Sequence, residues 1–283
     1  MIKIAIQKSG RLQENSLNLL KDCGIKLNSS HSSLKTTASN FPMEILFLRD
    51  DDIPQYVADG VADLGILGEN VVFEKCKTVI VAEKLGFAKC RLSLAVPKEC
   101  NYDGIHYFNN KKIATSYPLI LGNYLKQHNI DAEIEVINGS VEIAPGIGLA
   151  DGICDIVSSG STLFTNGLKE VETVIKSEAV LVSSENLTEA NHQLLKKLVF
   201  RIQAVKNAQS NKYILLNAPN ENIEKIISIL PGIKSPTILP LATKGWSSLH
   251  SVVKEDEFWE IIDKLKSLGA EGLLVVPIEK MVV

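Results

Sequence analysis

The 283-residue chain carries 30 basic and 33 acidic side chains, a formal charge of −3 that excludes the broad positive field of a nucleic-acid binder. With 45% hydrophobic and 22% charged residues it is globular and long enough for two or three compact units; no stretch approaches the ~18 apolar residues of a membrane span. Its five cysteines are scattered without a Cys-x-x-Cys pair and its five histidines stand singly, which reads as reduced thiols of a cytoplasmic protein with no zinc site.

The start, Met1-Ile-Lys-Ile-Ala-Ile6, reads as a strand over 2–6 and not as a secretory leader, because its apolar run is short and no cleavage site follows. Lys8-Ser-Gly-Arg11 leads into a helix over 12–23 closed by Gly24. A strand over 45–48 ends at Arg49, and a helix follows with Asp52 as its N-cap and Pro54 in its first turn. A third strand covers 64–67. Strands alternating with helices predict a parallel α/β sheet. A second α/β unit begins near Cys90, with strands over 91–97, 112–118 and 134–137 and helices over 119–128 and 141–150. A strand over 179–182 returns the chain to the first lobe, and a helix over 188–208 buries one face. After a polar stretch over 207–212 the order changes: strand 213–216, helix 221–230 stopped by Pro231-Gly232, strands 237–241 and 249–253, helix 255–268 stopped by Gly269, strand 273–276. This is the βαββαβ plan of a ferredoxin-like module, and it carries no catalytic cluster, so it reads as a regulatory or assembly unit.

Two segments bear most of the chemistry. Residues 57–70 align without gaps on residues 149–162, with Ala58/Ala150, Asp59/Asp151, Gly60/Gly152, Asp63/Asp155 and Gly68/Gly160 identical. The repeat predicts two similar lobes with a ligand in the cleft outside their strand ends. In the second copy the strand runs into Ser158, Ser159, Gly160, Ser161 and Thr162, whose hydroxyls and backbone N–H groups suit a phosphate without a lysine. Lys8, Arg11 and Arg49 stand at strand ends of the first sheet, where they would converge on one crevice, and Arg91 joins them if the lobes face each other. Lys111 and Lys112 read as strand flanks, and the acidic run at 50–52 as helix capping in preference to a magnesium site. Glu142 opens a helix beside the hydroxyl-rich turn, Asp155 is placed to accept from sugar hydroxyls, and Tyr117 to stack on a base. No P-loop is present, and Gly146, Gly148 and Gly152 miss the dinucleotide fingerprint by one residue.

Ile6-Gln-Lys-Ser-Gly-Arg-Leu12, Arg49-Asp-Asp-Asp-Ile-Pro54, Asp63-Leu-Gly-Ile-Leu-Gly-Glu-Asn70, Cys90-Arg-Leu-Ser-Leu-Ala95, Ile113-Ala-Thr-Ser-Tyr-Pro118, Asn138-Gly-Ser-Val-Glu-Ile-Ala-Pro145 with the segment 155–163, and in the tail Ser235-Pro-Thr-Ile-Leu-Pro-Leu241 and Pro277-Ile-Glu-Lys-Met281 occur in one order and spacing. In these segments the chain resembles the long-form ATP phosphoribosyltransferases, which open histidine biosynthesis. The resemblance implies a two-lobed core like the type II periplasmic binding proteins, with 1–90 and 179–208 in one lobe and 91–178 in the other, and a regulatory domain over 211–283 that binds histidine as a feedback inhibitor. It implies ATP and 5-phosphoribosyl 1-pyrophosphate as substrates, with magnesium on the pyrophosphate, and dimers and hexamers as assemblies. Glu142, Asp155, Arg49 and Lys8 would then serve catalysis, and Arg11, Arg91, Tyr117 and residues 158–162 would hold substrate. By motif, Asn217, Ser235, Thr237 and Gly272 would contact histidine; Asn217 departs from an acidic residue in some relatives. The sequence singles out no metal ligands. A solute-binding or effector-sensing module of the same two-lobed fold is the alternative, against which the hydroxyl-rich turn argues.

Overall fold

The computed structural model describes residues 1–28, 34–230, 232 and 235–282. The chain divides into two units, Met1–Lys196 and Lys197–Val283. In chain order the first contains β1 (Ile2–Gln7), α1 (Arg11–Asp22), β2 (Lys35–Thr37), β3 (Met43–Leu48), α2 (Ile53–Ala58), β4 (Leu64–Gly68), α3 (Glu69–Lys75), β5 (Ile80–Lys84), β6 (Cys90–Pro97), β7 (Lys112–Thr115), α4 (Pro118–Gln127), β8 (Glu133–Val136), β9 (Gly152–Val157), α5 (Ser161–Thr165), β10 (Leu168–Ser177) and β11 (Ala179–Ser183). Helix α6 (Glu189–Gln209) crosses the division. The second unit adds β12 (Asn211–Pro219), α7 (Ile223–Ile229), β13 (Thr237–Pro240), β14 (Trp246–Lys254), α8 (Glu255–Ser267) and β15 (Glu271–Pro277).

The first unit holds two sheets, ordered β2-β3-β1-β4-β11-β5 and β10-β6-β9-β7-β8. Apart from β2, which pairs antiparallel with β3 and has no counterpart, they share one topology when read in matching directions. β1 and β7 are central, each parallel to two neighbours, and each sheet then adds two antiparallel strands toward β5 or β10. Lys3-Ile4-Ala5 of β1 corresponds to Lys112-Ile113-Ala114 of β7. Ile4, Ile6, Leu64 and Ile66 are fully buried in the first lobe and Ile113, Ala114, Ile153 and Cys154 in the second. Each large apolar side chain so buried contributes roughly 1.5–3 kcal/mol.

An aspartate closes each lobe in the same way. Asp63 Oδ2 accepts from the Lys3 N–H at 2.7 Å while the Asp63 N–H donates to the Lys3 carbonyl at 2.9 Å. Asp151 does the same with Lys112, at 2.8 Å both ways. The two lobes of the repeat are therefore real, but their equivalence is not the gapless one. That alignment matches Asp63 with Asp155, whereas the strands match Asp63 with Asp151, four residues earlier. Aspartates four apart in each Asp-Gly-x-x-Asp segment make both registers look good in sequence. Asp155 is thereby released from the structural role and lies within β9.

Three other expectations are corrected. Residues 141–150 form only a 3-10 turn, Val141–Ile143, and then irregular turns. Pro145 has no N–H to donate, and Gly148 takes a φ of +74°, which ends helical propagation. Asp52 occupies the cap position of α2 without a capping hydrogen bond, because it is already helical as the last residue of the 3-10 turn Asp50–Asp52. The polar stretch over 207–212 is the end of α6 and the start of β12, with Ser210 alone between them. Helix α3 and strands β2, β5 and β10 were not expected. Pro231, read as a helix stop, lies outside the described residues.

The chain passes between the lobes after β5 and after β10. Leu85 N–H donates to the Ala179 carbonyl at 2.9 Å and Ala179 N–H to the Phe87 carbonyl at 3.0 Å, so the crossings are tied to each other. The first turn of α3 is fastened to them: Glu69 N–H reaches the Glu178 carbonyl at 2.9 Å, and Asn70 N–H reaches Ser177 Oγ at 3.0 Å. Ser177 Oγ donates in return to Asn70 Oδ1 at 2.9 Å. From the same helix the Glu74 carboxylate accepts from the N–H groups of Leu119 and Ile120, both at 3.0 Å, capping α4 of the other lobe.

In the second unit the sheet order β13-β14-β12-β15 with α7 and α8 on one face is the expected ferredoxin-like plan. Ile214, Leu216, Ala218 and Leu249 pack under the helices. The opposite face carries Tyr213 and His250, joined at 2.7 Å, with Ser248 beside the ring at 3.2 Å.

Gly152 tests the packing of the second lobe. A Cβ there would lie 2.8 Å from the buried Phe108 ring and 3.0 Å from the Ala95 carbonyl oxygen. Gly152→Ala is expected to cost roughly 1–3 kcal/mol of stability in urea unfolding. Gly146→Ala, whose nearest neighbour would be at 3.5 Å, should change it by less than about 0.5 kcal/mol.

Candidate active site

The C-terminal ends of β1, β3 and β4 in one lobe and of β7 and β9 in the other mark the cleft. Lys8 follows β1 and Arg49 follows β3, on strands whose last residues, Gln7 and Leu48, are paired. Lys8 N–H donates to the Leu48 carbonyl at 2.7 Å, which keeps the two cations at one edge. Arg11 begins α1 just after Gly10, whose φ of +91° permits the sharp entry. All three side chains are exposed, and none makes an ion pair among the described residues.

In the other lobe β9 ends at Val157 and the chain turns through Ser158, Ser159 and Gly160 into α5. Gly160 adopts a φ of +79°, a left-handed conformation that favours glycine. Ser159 and Ser161 hydroxyls lie 3.0 Å apart and exposed. Among the described residues no protein group accepts from the N–H of Thr162 or Leu163. Helix α5 has only five residues, so the turn's capacity for an anion lies in its N–H and hydroxyl donors and not in a long dipole. Arg91 Nη1 donates to the Ser158 carbonyl at 3.2 Å, and its remaining fork grips the Glu170 carboxylate. Arg91 thus braces the turn, and its charge is largely offset by Glu170, whose carboxyl it holds below the ordinary range.

Asp155 and Glu142 meet beside this turn. Burial pushes the Asp155 carboxyl upward, and the neighbouring Glu142 charge pushes it further, against a backbone N–H from Ile156 at 2.7 Å. Tyr117 precedes α4 and lies between the lobes. Its hydroxyl pKa is raised by burial, then by the charges of Asp155 in one lobe and Asp50 in the other. Asp50 is itself shifted upward by burial and by Asp51. Electrostatic coupling thus links Tyr117 with Asp155 and Asp50, and Asp155 with Glu142, while Lys8 and Arg49 stand at paired strand ends of the first sheet. Sequence reasoning gave no role to Asn70, Glu74, Glu170 or Ser177, which hold this arrangement. Asn70 ends a motif already singled out, but its partner Ser177 is 107 residues away and carries no local signal.

No three His, Cys, Asp or Glu side chains cluster as a metal cage among the described residues. A substrate-borne magnesium ion needs only one or two carboxylates, and Asp155 with Glu142 supplies that donor chemistry at the turn.

In the second unit Asn217 and Gly272 adjoin: a Cβ on Gly272, whose φ is +59°, would lie 3.3 Å from Asn217 Nδ2. Thr237 opens β13 opposite His250 and Ser235 is exposed just before it, so this pair is separated from Asn217 by β14.

Residues 49–204 match the family model described as ATP phosphoribosyltransferase, and residues 208–280 match the HisG C-terminal domain. The chain belongs to the ATP phosphoribosyltransferase family. It is 60% identical over 282 residues to the ATP phosphoribosyltransferase of Cytophaga hutchinsonii, covering 100% of this chain and 99% of the relative. It is 58% identical to that of Bacteroides thetaiotaomicron, covering 100% of both. Among solved structures, one from the HisG:HisZ ATP phosphoribosyltransferase complex of Thermotoga maritima superposes with a TM-score of 0.61 at 30% identity, over 72% of this chain and 99% of that one. A substrate-binding protein of an amino acid ABC transporter superposes with a TM-score of 0.50 at 12% identity, over 74% and 94% of the two chains, which shows the shared two-lobed fold alone. The chain is thus a long-form transferase of histidine biosynthesis, with the C-terminal domain that the long form adds.

The raised carboxyl of Asp155 gives a signed prediction. A folded pKa above the unfolded one means that the folded state binds its proton more tightly, so this group favours folding fully below the unfolded carboxylate value and loses that contribution as pH rises through the folded value. Asp155→Asn is expected to melt higher than the parent protein at neutral pH, and the gain should vanish as pH falls toward about 4. Thermal scans across pH check it.

Proposed function

We propose that the chain joins ATP to 5-phosphoribosyl 1-pyrophosphate. N1 of adenine attacks C1 of the ribose with inversion, the C1–O bond to pyrophosphate breaks, and 1-(5-phosphoribosyl)-ATP and pyrophosphate leave. The observation that carries this reading is the exposed hydroxyl-rich turn at 158–162, with the Thr162 N–H lacking an acceptor among the described residues, near Asp155. The turn holds the 5′-phosphate, and the two carboxylates hold the ribose hydroxyls. The half-buried Tyr117 ring, lying between charges of both lobes, stacks on adenine. Adenine N1 is a weak nucleophile, so the chain acts by positioning and by offsetting charge on the leaving group. Lys8, Arg11 and Arg49 serve the polyphosphates. Magnesium, when bound to the pyrophosphate, neutralises part of its charge.

The second unit is read as the histidine sensor, through Asn217, Gly272, Ser235 and Thr237. Inhibition requires histidine to bind one conformation or assembly better than another. The exposed Leu239, Leu274 and Val276 on its strands support assembly into dimers and hexamers. No helix among the described residues is long and apolar enough to cross a membrane, and the reading places the chain in the cytoplasm with its substrates.

Release of pyrophosphate from ATP and 5-phosphoribosyl 1-pyrophosphate together, and from neither alone, tests the reaction. Thr162→Val should raise KM for the phosphoribosyl substrate about tenfold, the value of one hydrogen bond to a charged group; unchanged kinetics would remove the phosphate from the turn. For the second unit, Ser235→Ala combined with Thr237→Ala should weaken histidine binding in calorimetry and relieve inhibition in the same preparation. Full affinity in that variant would rule the site out.

A further inference from the structure

Beyond β4 and β9 the facing edges continue to the outer strands β5 and β10. There, next to the crossings, they enclose a cavity of about 430 Å³. Lys84 comes from β5, Lys89 from the first crossing, Arg91 from β6 and Lys176 from the end of β10, where it pairs with Arg91 in register. Four cations line it against two carboxylates, Glu69 and Glu178, in a chain whose formal charge is −3. Two of the cations are already matched: Lys84 by Glu69 at 2.9 Å and Arg91 by Glu170. Glu178 accepts from the Gly86 N–H at 2.9 Å. Lys89 and Lys176 are exposed and make no ion pair with any described residue. Ser158 belongs both to this cavity and to the phosphate turn, so the two are continuous.

We propose that this hinge end of the cleft is a polyphosphate subsite in which Lys89 and Lys176 take the phosphate chain of one substrate. The inference rests on the reaction proposed above, which brings two separate polyphosphate chains into one cleft, a pyrophosphate and a triphosphate. The strand order separates two cation groups to receive them, Lys8, Arg11 and Arg49 by β1 and β3, and Lys89 with Lys176 by β5 and β10. A single cluster holding both chains would concentrate their repulsion, whereas two ends divide it.

The test uses the full chain with Lys89→Ala and Lys176→Ala together, and Lys89→Gln with Lys176→Gln as a second variant that keeps a polar side chain of similar reach. Inorganic pyrophosphate, ATP and ribose 5-phosphate are titrated separately by calorimetry, with thermal melting to confirm folding. The expected result is a loss of about tenfold or more in affinity for pyrophosphate, ATP or both, with ribose 5-phosphate unchanged. Loss for ATP alone assigns the triphosphate to this end, and loss for pyrophosphate alone assigns the leaving group. Unchanged affinity for both, or an equal loss for all three ligands, overturns the subsite. These titrations need no turnover, so they stand even if the chain releases no pyrophosphate in the reaction assay, which would defeat the reaction proposed above and not the cation site.

Discussion

The hydrogen-bond pair between Asn70 and Ser177 is the constraint on which the rest of the two-lobed unit depends. It joins the first turn of a helix in one lobe to the end of a strand in the other, and both residues are buried. Each such bond contributes only about 0.5–1.5 kcal/mol, but losing one partner would strand the other's buried polar groups at a further cost of roughly 1–3 kcal/mol. Its geometric effect is larger than its energy. The same helix turn lies against the seam on which Tyr117 is buried, between charges of both lobes. Next to Asn70 the enclosed carboxylate of Glu69 meets Lys84 at 2.9 Å.

The two lobes share a strand order and an aspartate latch, yet they end differently. In the first lobe β4 passes directly into α3, whose opening residues are consumed by the seam. In the second, Ser158, Ser159 and Gly160 are interposed between β9 and α5. Those residues leave donors facing outward where the first lobe spends its own on structure. One architecture thus supplies a structural joint in one copy and a binding turn in the other.

The sequence reveals the parts of this fold whose signals are local. The runs of β1, β4, β6 and β9 are legible because most of their residues are buried and apolar, broken only by single polar residues such as Lys3, Ser93 and Asp155. The turn at 158–162 is legible because hydroxyl residues clustered around a glycine have few other reasons to follow such a strand. Strand β10 is not legible: Lys169, Glu170, Glu172 and Lys176 interrupt it, and among the described residues it pairs with β6 alone, from Leu168 opposite Pro97 to Ser177 opposite Cys90. Helix α3 is hidden because it begins without a spacer after β4. The false helix over 141–150 arose from an apolar periodicity that Pro145 and Gly148 override. The register of the repeat failed for a different reason: aspartates four residues apart allow two alignments, the wrong one has more identities, and the backbone partners Lys3 and Lys112 decide for the other.

Glu74 reaches across the seam to cap the start of α4. Helix ends are usually capped by their own preceding residues, so their protection is indifferent to what the rest of the molecule does. Here the donors of Leu119 and Ile120 are shielded only while the two lobes stand together. Deuterium uptake at these two amides therefore clocks how often the cleft opens, in the unmodified protein and without a label.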